Sequence, residues 1–294
     1  MRKKTEAGPI ATSLVRVFQK LKGARVINLH AFREGSARAA ELQKTVATPE
    51  DLAEHHPVHA LYIAVQNQVS VLSEQLTSLP ETTKLADLIE AAQVDYMPSG
   101  PPMSPLTVSY FTSWAFFDAA VGPRRETIGT CIAAIGTLLG LHPKFLALVA
   151  VMQQSSMRVY AHEGARADGT IVLRDLVSGA RVPCIVPSGW LGAPGELWLA
   201  RVLPPPVGVG DASLVFTTPY VLRGASEQDW VAYLDRALAA AKSDASKTLA
   251  ALKHAIDWNE YIFAGYKGHV HEAIFLTGLP DVPSSLPHYS PRSR

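Results

Sequence analysis

Histidines form the most chemically suggestive pattern in the sequence. Three of them lie within residues 55–59, and the first and last have the spacing that places two zinc ligands on one face of a helix. Pro57 interrupts that helix register, and no glutamate stands between these two histidines as the metallohydrolase motif requires. A second pair, His269 and His271, would share a face only in an extended strand. We therefore expect neither metal binding nor a cofactor.

Nucleophilic side chains fall outside the known catalytic motifs. Cys131 and Cys184 are 53 positions apart and belong to no Cys-x-x-Cys or Cys/His cluster. Ser188 precedes a glycine but lacks the G-x-S-x-G elbow of the hydrolases. The expectation is a non-enzymatic protein. A hydrolase whose residues meet only in three dimensions is kept as an alternative.

Basic residues are concentrated at the N-terminus. The whole chain has a net charge of +1, but residues 1–45 contain 10 Lys and Arg against 3 Asp and Glu, a net charge of +7 that leaves −6 for the remainder. Over residues 9–22, apolar residues recur every three or four positions with cations between them, which predicts a short basic amphipathic helix. Its candidate partner-binding residues are Arg16, Phe18, Lys20 and Lys22.

This predicted helix is too short to be stable in isolation. Its apolar stripe must therefore be covered by the rest of the chain or by a partner, and we predict a separable docking element. The cations suit an acidic protein surface or a second copy of the chain. They would also neutralise phosphates, which makes a nucleic-acid partner the alternative. No membrane partner is expected.

Helical spacing dominates the first 155 residues. Thr48, followed by Pro49 and two acids, is a typical helix start, and one long helix is expected to follow. The proline-rich residues 98–109 predict a linker between an N-terminal helical region, 1–97, and a set of apolar helices, 110–155.

The most apolar run in the chain is too short for a membrane span. It covers residues 128–141, or 14 positions, whereas a transmembrane helix needs about 20 apolar residues. The first residues are charged and do not read as a secretory signal. A cytoplasmic protein is expected.

The hydrophobic period changes from about 3.6 to 2 between residues 156 and 224. The strand-like segments in this region are 158–163, 170–176, 180–186, 196–203 and 213–220. Five short strands laid out as a flat sheet would leave exposed edges, so we predict that they close into a small SH3-like β-barrel. Small barrels often bind partners through aromatic residues at one rim. The aromatic residues available here are Tyr160, Trp190, Trp198 and Tyr220, and we take Trp190 and Trp198 as the partner-binding candidates. Trp198 alternates with Leu197 and Leu199 along the strand, so the pattern leaves open whether its face or theirs is the core.

The region after the barrel is predicted to be a long helical segment, residues 225–277. Neither glycine nor proline interrupts residues 226–264, and apolar residues recur at helical spacing from Trp230 to Ile256. A helix of this length needs a packing partner, so self-association is expected. The proline-containing tail, 278–294, is predicted to be irregular.

Short phrases in the middle of the chain carry a family resemblance. They are WAFFD at 114–118, LRDL at 173–176, PGELW at 194–198 and RVLP at 201–204. Over roughly residues 110–222 the chain resembles bacterial proteins that contain the SEC-C motif and whose function is uncertain. The cysteine-rich zinc motif of that group has no counterpart here, so the resemblance implies the arrangement of helices and barrel, and no metal site.

Taken together, the sequence predicts an α+β fold with a mainly helical body and an inserted five-stranded SH3-like barrel. The predicted function is non-enzymatic binding or assembly, with self-association and a protein partner. A nucleic-acid-associated protein and a hydrolase with an unrecognised site are the alternatives.

Overall fold

The computed structural model describes most of the chain outside its C-terminal quarter. The described residues are 7–23, 30–96, 105–155, 157–187, 189, 191–206, 208–217, 219–222, 226–240, 258–263 and 272–276. The chain divides into a helical unit, Met1–Gln93 with Thr112–Gln154, and a barrel unit, Val94–Phe111 with Ser155–Arg294. The predicted α+β fold with a small β-barrel is confirmed.

Helices occupy most of the described residues before the barrel. They are α1 (Pro9–Gly23), α2 (His30–Gln43), α3 (Pro49–Ala53), α4 (Pro57–Thr77), α5 (Thr83–Tyr96), α6 (Pro105–Phe117), α7 (Ile128–Ile135) and α8 (Pro143–Gln154), with a 3-10 turn at Pro80–Thr82. The predicted basic helix of residues 9–22 is confirmed as α1. None of the described helices is both long enough and apolar enough to cross a membrane.

Two helices replace the single long helix predicted after Thr48. The Thr48 side chain accepts a hydrogen bond from the Asp51 N–H at 3.2 Å, and the Asp51 carboxylate accepts one from the Thr48 N–H at 2.8 Å. This capping box starts α3, but α4 begins anew at Pro57, where the His56 ring accepts a hydrogen bond from the Val58 N–H at 3.3 Å. Proline has no N–H to donate, so it belongs in a first turn and breaks a helix interior.

Prolines and glycines also shift the predicted ends of the later helices. Pro105 opens α6, so residues 105–109 of the predicted linker are helical, and residues 97–104 lie outside the described part of the chain. The most apolar run, residues 128–141, is α-helical only over α7, which begins after its cap Thr127 and ends at Ile135. The residue before that cap, Glu126, has a separate role described below.

The core of the helical unit is formed by the apolar faces of α4, α7 and α8 together with the end of α6. Its largest fully buried side chains include Tyr62, Phe117, Ile132, Ile135 and Met152. Helix α1 contributes Leu14, which is also fully buried.

The barrel contains all five predicted strand segments. Its strands are β1 (Met157–Ala165), β2 (Ile171–Asp175), β3 (Arg181–Ile185), β4 (Leu197–Leu203), β5 (Ser213–Val215) and β6 (Tyr220–Leu222). The segment predicted over 213–220 is divided between β5 and β6. Strands β1, β2, β3, β5 and β4 follow one another around the barrel, and antiparallel pairing of β4 with β1 closes it. The β3–β5 contact is parallel, and β6 extends the edge of β4.

The C-terminal region differs from the predicted helical segment 225–277. Helix α9 covers Glu227–Ala240, but Trp258–Phe263 (β7) and Glu272–Leu276 (β8) form an antiparallel two-stranded sheet. The prediction is therefore wrong for these two stretches, whose aromatic and β-branched residues suit a pleated strand. The middle of the predicted apolar seam, residues 241–257, and the tail, 278–294, lie outside the described residues.

Candidate functional site

Helix α1 begins at a buried carboxylate supplied by a distant part of the sequence. The Glu126 side chain accepts hydrogen bonds from the Ile10 N–H at 3.0 Å and from the Ala11 N–H at 2.7 Å. A negative charge is favourable at a helix N-terminus, where backbone N–H groups lack partners within the helix. A Cβ atom at Gly8 would lie 2.2 Å from the Glu126 Cδ, so a larger residue there would displace this carboxylate.

The apolar stripe of α1 is covered within the chain. Ala11, Leu14 and Phe18 are buried, whereas Arg16 and Lys20 are exposed. Phe18, a predicted partner contact, has its side chain in the core of the helical unit, and the contact itself stays a prediction. The burial of this stripe also argues against a separable arm. The Lys22 side chain, the remaining candidate on this helix, lies outside the described part of the structure.

On the barrel, the buried His162 holds a loop in place with both of its ring nitrogens. Its Nε2 lies 2.7 Å from the carbonyl oxygen of Leu191, and its Nδ1 accepts a hydrogen bond from the Gly164 N–H at 3.1 Å. Acceptance at Nδ1 leaves Nε2 as the nitrogen that donates to the Leu191 carbonyl. Since Leu191 lies in the connection between β3 and β4, the ring ties that loop to β1.

The same loop packs on the indole of Trp198. The Trp198 Nε1 donates a hydrogen bond to the Glu196 carboxylate at 2.9 Å, and its ring centroid lies 4.9 Å from that of His162. Gly192 touches the indole so closely that a Cβ would lie 2.3 Å from the ring, and its φ of +63° also favours glycine. Trp198, a predicted partner contact, is fully buried in the barrel core, and the contact itself stays a prediction. Trp190 lies outside the described residues.

The loop that these contacts hold exposes a large apolar side chain. Leu191 is 42% exposed, and among the described residues only Leu61, at 37%, is a comparable exposed hydrophobic residue. The backbone carbonyl of Leu191 is bonded to His162, and the next residue, Gly192, is packed on Trp198. The Leu191 side chain is therefore exposed, while the backbone is held in place at Leu191 and at Gly192.

A shallow groove of about 260 Å³ lies where the same loop meets the start of α9. Its lining residues are Gly195, Glu196, Leu197, Val221, Leu222, Ser226 and Glu227. Pockets that enclose small molecules usually have volumes of about 300–1,000 Å³. The groove is smaller than these and open, so it suits one or two side chains of a peptide better than an enclosed substrate. We call Leu191 and this groove together the barrel rim.

A chain of ion pairs fixes the α9 side of the groove. The Arg174 guanidinium donates to both carboxylate oxygens of Glu227 at 2.9 Å and to Glu163 at 2.8 Å. Arg181 donates to the same Glu163 at 2.7 Å, and this hydrogen bond is the main reason why the pKa of the Glu163 carboxyl is lowered. The first turn of α9 is thereby attached to β1, β2 and β3.

Ionisable groups inside the barrel have structural partners. Asp175 pairs with Arg158 at 2.6 Å and accepts a hydrogen bond from the Val177 N–H at 2.8 Å, which shapes the turn after β2. Arg201 is fully buried and donates to the Ser155 hydroxyl at 2.8 Å. The buried charges of Asp175 and Arg201 therefore stabilise a turn and a strand end of the barrel.

The two cysteines are buried and unreactive in character. Burial raises the pKa of the Cys131 and Cys184 thiols to about 12. A nucleophilic cysteine needs a lowered pKa. The surroundings of both cysteines therefore do not favour the hydrolase alternative.

The histidines of residues 55–59 cluster at the start of α4 without forming a metal site. The rings of His55 and His59 lie 4.9 Å apart in an edge-on arrangement. Burial, with a smaller contribution from His55 and His56, lowers the pKa of His59 from 6.5 to about 4. Over the part of the chain that the structure describes, no group of three or more His, Cys, Asp or Glu side chains could hold a metal ion. His269 and His271 lie outside that part.

Comparison of the chain with protein-family models, with curated proteins and with solved structures finds no match. The resemblance to SEC-C-motif-containing proteins therefore stays a prediction.

The residues that build the barrel rim were mostly missed by reasoning from the sequence. His162 falls within a predicted strand, where nothing marks it as the partner of a loop 29 positions away. The glycines at 189, 192 and 195 were the one available signal, since closely spaced glycines mark a turn or a close backbone approach.

Proposed function

We propose that the chain is a non-enzymatic binding and assembly protein whose barrel rim contacts a protein partner. The observation that carries this proposal is the fixed exposure of Leu191. An exposed apolar side chain on a mobile loop would lose conformational freedom on binding, whereas one on a fixed loop loses little. His162 and Trp198 therefore prepare the rim for contact while they serve the barrel core.

The lining of the groove indicates the chemistry of the partner. Leu191 offers an apolar contact, and the groove beside its loop adds the carboxylate of Glu196, whereas the Glu227 carboxylate is paired with Arg174. An extended peptide that carries an apolar side chain next to a basic one matches both features. Short peptides of this kind bind other small domains through a few anchor residues.

Selection from a displayed random-peptide library tests the proposal. The full chain would be immobilised, an enriched peptide would be synthesised with a fluorophore, and its dissociation constant would be measured by fluorescence anisotropy. We expect Leu191→Ser to raise the dissociation constant about tenfold or more, because burial of a leucine contributes about 1.5–3 kcal/mol. Leu61→Ser is the matched control, since it removes a similarly exposed leucine from the helical unit.

Two outcomes would contradict the proposal. One is a selection that enriches no common sequence above the bare support. The other is an enriched peptide whose affinity changes equally in the Leu191→Ser and Leu61→Ser proteins. Near-ultraviolet circular dichroism of the variants would show whether the tryptophan surroundings are unchanged.

A further inference from the structure

Charge is segregated along the first 96 residues of the sequence. Residues 1–45 have a net charge of +7, whereas residues 46–96 contain 8 Asp and Glu and a single Lys, a net charge of −7. The near-neutral charge of the whole chain therefore conceals two strongly charged segments of opposite sign.

Two exposed cations of the basic segment lie on α1. Arg16 and Lys20 are one turn apart on α1, so their backbone positions are separated by about 6 Å along the helix axis. Both are exposed, and neither forms an ion pair with a described residue. Because Ala11, Leu14 and Phe18 are buried, the described side chains of α1 do not form an exposed apolar face that could insert into a membrane.

The acidic segment presents unpaired carboxylates. Apart from Asp51, whose carboxylate is held in the capping box with Thr48, four of its acids are exposed and have no ion pair within the described residues. They are Glu50 and Glu54 at α3, and Asp87 and Glu90 on α5. Cations and carboxylates that are unpaired within one copy are available to each other between two copies.

We propose that a second copy of this chain is the partner of α1, with Arg16 and Lys20 of one copy against the acidic residues of the other. This inference rests on the assembly part of the proposed function and names the surfaces involved. A nucleic-acid partner fits less well. Nucleic-acid-binding domains usually have a pI above about 9, whereas this chain has a sequence pI of about 7.8 and a segment of charge −7 that would repel phosphates.

The contact should be weak and sensitive to salt. Single exposed ion pairs contribute little, so we expect association at about 100 µM protein in low salt. Raising the salt from about 50 to about 500 mM shortens the Debye length from about 14 Å to about 4 Å. That change should dissociate an electrostatic complex and leave an apolar one in place.

Sedimentation velocity and light scattering of charge-reversed variants test this proposal on the full chain. We expect Arg16→Glu/Lys20→Glu to weaken self-association at least tenfold at low salt. At least one of Glu50→Lys/Glu54→Lys and Asp87→Lys/Glu90→Lys should do the same. Lys144→Glu/Arg166→Glu is the matched control, because it changes the net charge by the same amount at two other exposed cations.

Mixing is the decisive arm. The basic-face variant keeps a native acidic surface, and an acidic-face variant keeps a native α1, so an equal mixture should restore the association that neither shows alone. The proposal is overturned if the wild type is monomeric at low salt, if the control variant weakens association as much as the α1 variant, or if mixing restores nothing.

A binding assay with a 20-base-pair DNA duplex tests whether α1 binds nucleic acid instead of a second copy of the chain. Duplex binding by the wild type that is lost in Arg16→Glu/Lys20→Glu, without self-association, would assign α1 to nucleic acid instead. Peptide binding at the barrel rim would be measured on the same variants. It should be unchanged, so failure of this inference and failure of the rim proposal are distinguishable.

Discussion

Replacement of Glu126 by glutamine removes the charge that holds the start of α1 while it preserves the size of the side chain. The carboxylate accepts two backbone hydrogen bonds, from Ile10 and Ala11, in a buried position. An amide group has one acceptor oxygen, so Glu126→Gln keeps one of these bonds in a weaker, neutral form. Its NH₂ group then faces the other N–H, which is left without an acceptor.

The expected loss of unfolding free energy in Glu126→Gln follows from the two hydrogen bonds to Ile10 and Ala11. Hydrogen bonds to charged groups contribute about 1.5–3 kcal/mol, and a buried donor without an acceptor costs about 1–3 kcal/mol. Weakening one bond and orphaning one donor should lower the free energy of unfolding by about 3 kcal/mol. This is well above the effect of about 1 kcal/mol for loss of an ordinary N-cap.

Urea unfolding followed by far-ultraviolet circular dichroism measures this loss in the helical unit. With a denaturant slope of about 2 kcal/mol per molar urea, the midpoint should fall by about 1.5 M. Glu90→Gln is the matched control, because Glu90 is exposed and has no ion pair among the described residues. It should change the free energy of unfolding by less than about 0.5 kcal/mol.

Gly8 supplies an independent check through a double-mutant cycle. Gly8→Ala would place a Cβ 2.2 Å from the Glu126 Cδ. It should therefore destabilise the wild type but have little effect in the Glu126→Ala protein, where the obstructing atoms are absent. Additive effects of the two substitutions, or a Glu126→Gln midpoint equal to that of Glu90→Gln, would refute the idea that this carboxylate anchors α1.

Further predictions concern pH, thiol reactivity and the loop of the barrel rim. The pKa of His59 is lowered from 6.5 to about 4 in the folded state, so the unfolded state binds the proton first as the pH falls. The free energy of unfolding should therefore decrease between about pH 6.5 and pH 4. The melting temperature across that range should fall less in His59→Gln than in the wild type. Burial raises the pKa of Cys131 and Cys184 to about 12, so both should react with an aromatic disulfide reagent at pH 8 only after urea is added, and fast labelling of the folded protein would contradict their burial. Gly192→Ala should displace the loop, lower the free energy of unfolding by about 1–3 kcal/mol and alter tryptophan fluorescence. Gly189→Ala is the control, because Gly189 also has a positive φ but a Cβ added there would have no atom within 4 Å. It should leave the fluorescence unchanged.

Local patterns in the sequence determined much of the fold. The alternation of apolar and polar residues located the strands of the barrel, because a strand with one buried face repeats every two residues whatever it pairs with. The spacing around Leu14 located α1 for the same kind of reason. Prediction failed at residues 258–263, where local spacing allowed a helix and the strand is defined by pairing with β8.

Only the tertiary structure decided which side chains hold these elements and which remain exposed. Glu126 accepts a hydrogen bond from Ala11, 115 positions earlier, and the His162 ring bonds Leu191, 29 positions later. A single hydrogen bond between remote positions leaves no periodic trace in one sequence, so neither partner could be predicted. Trp198 shows the same limit, since its alternation with leucines indicated a strand but left open which face is buried. The folded structure buries both faces of β4, because Trp198 packs in the barrel core while Leu197 and Leu199, on the opposite face, are also covered by the rest of the chain.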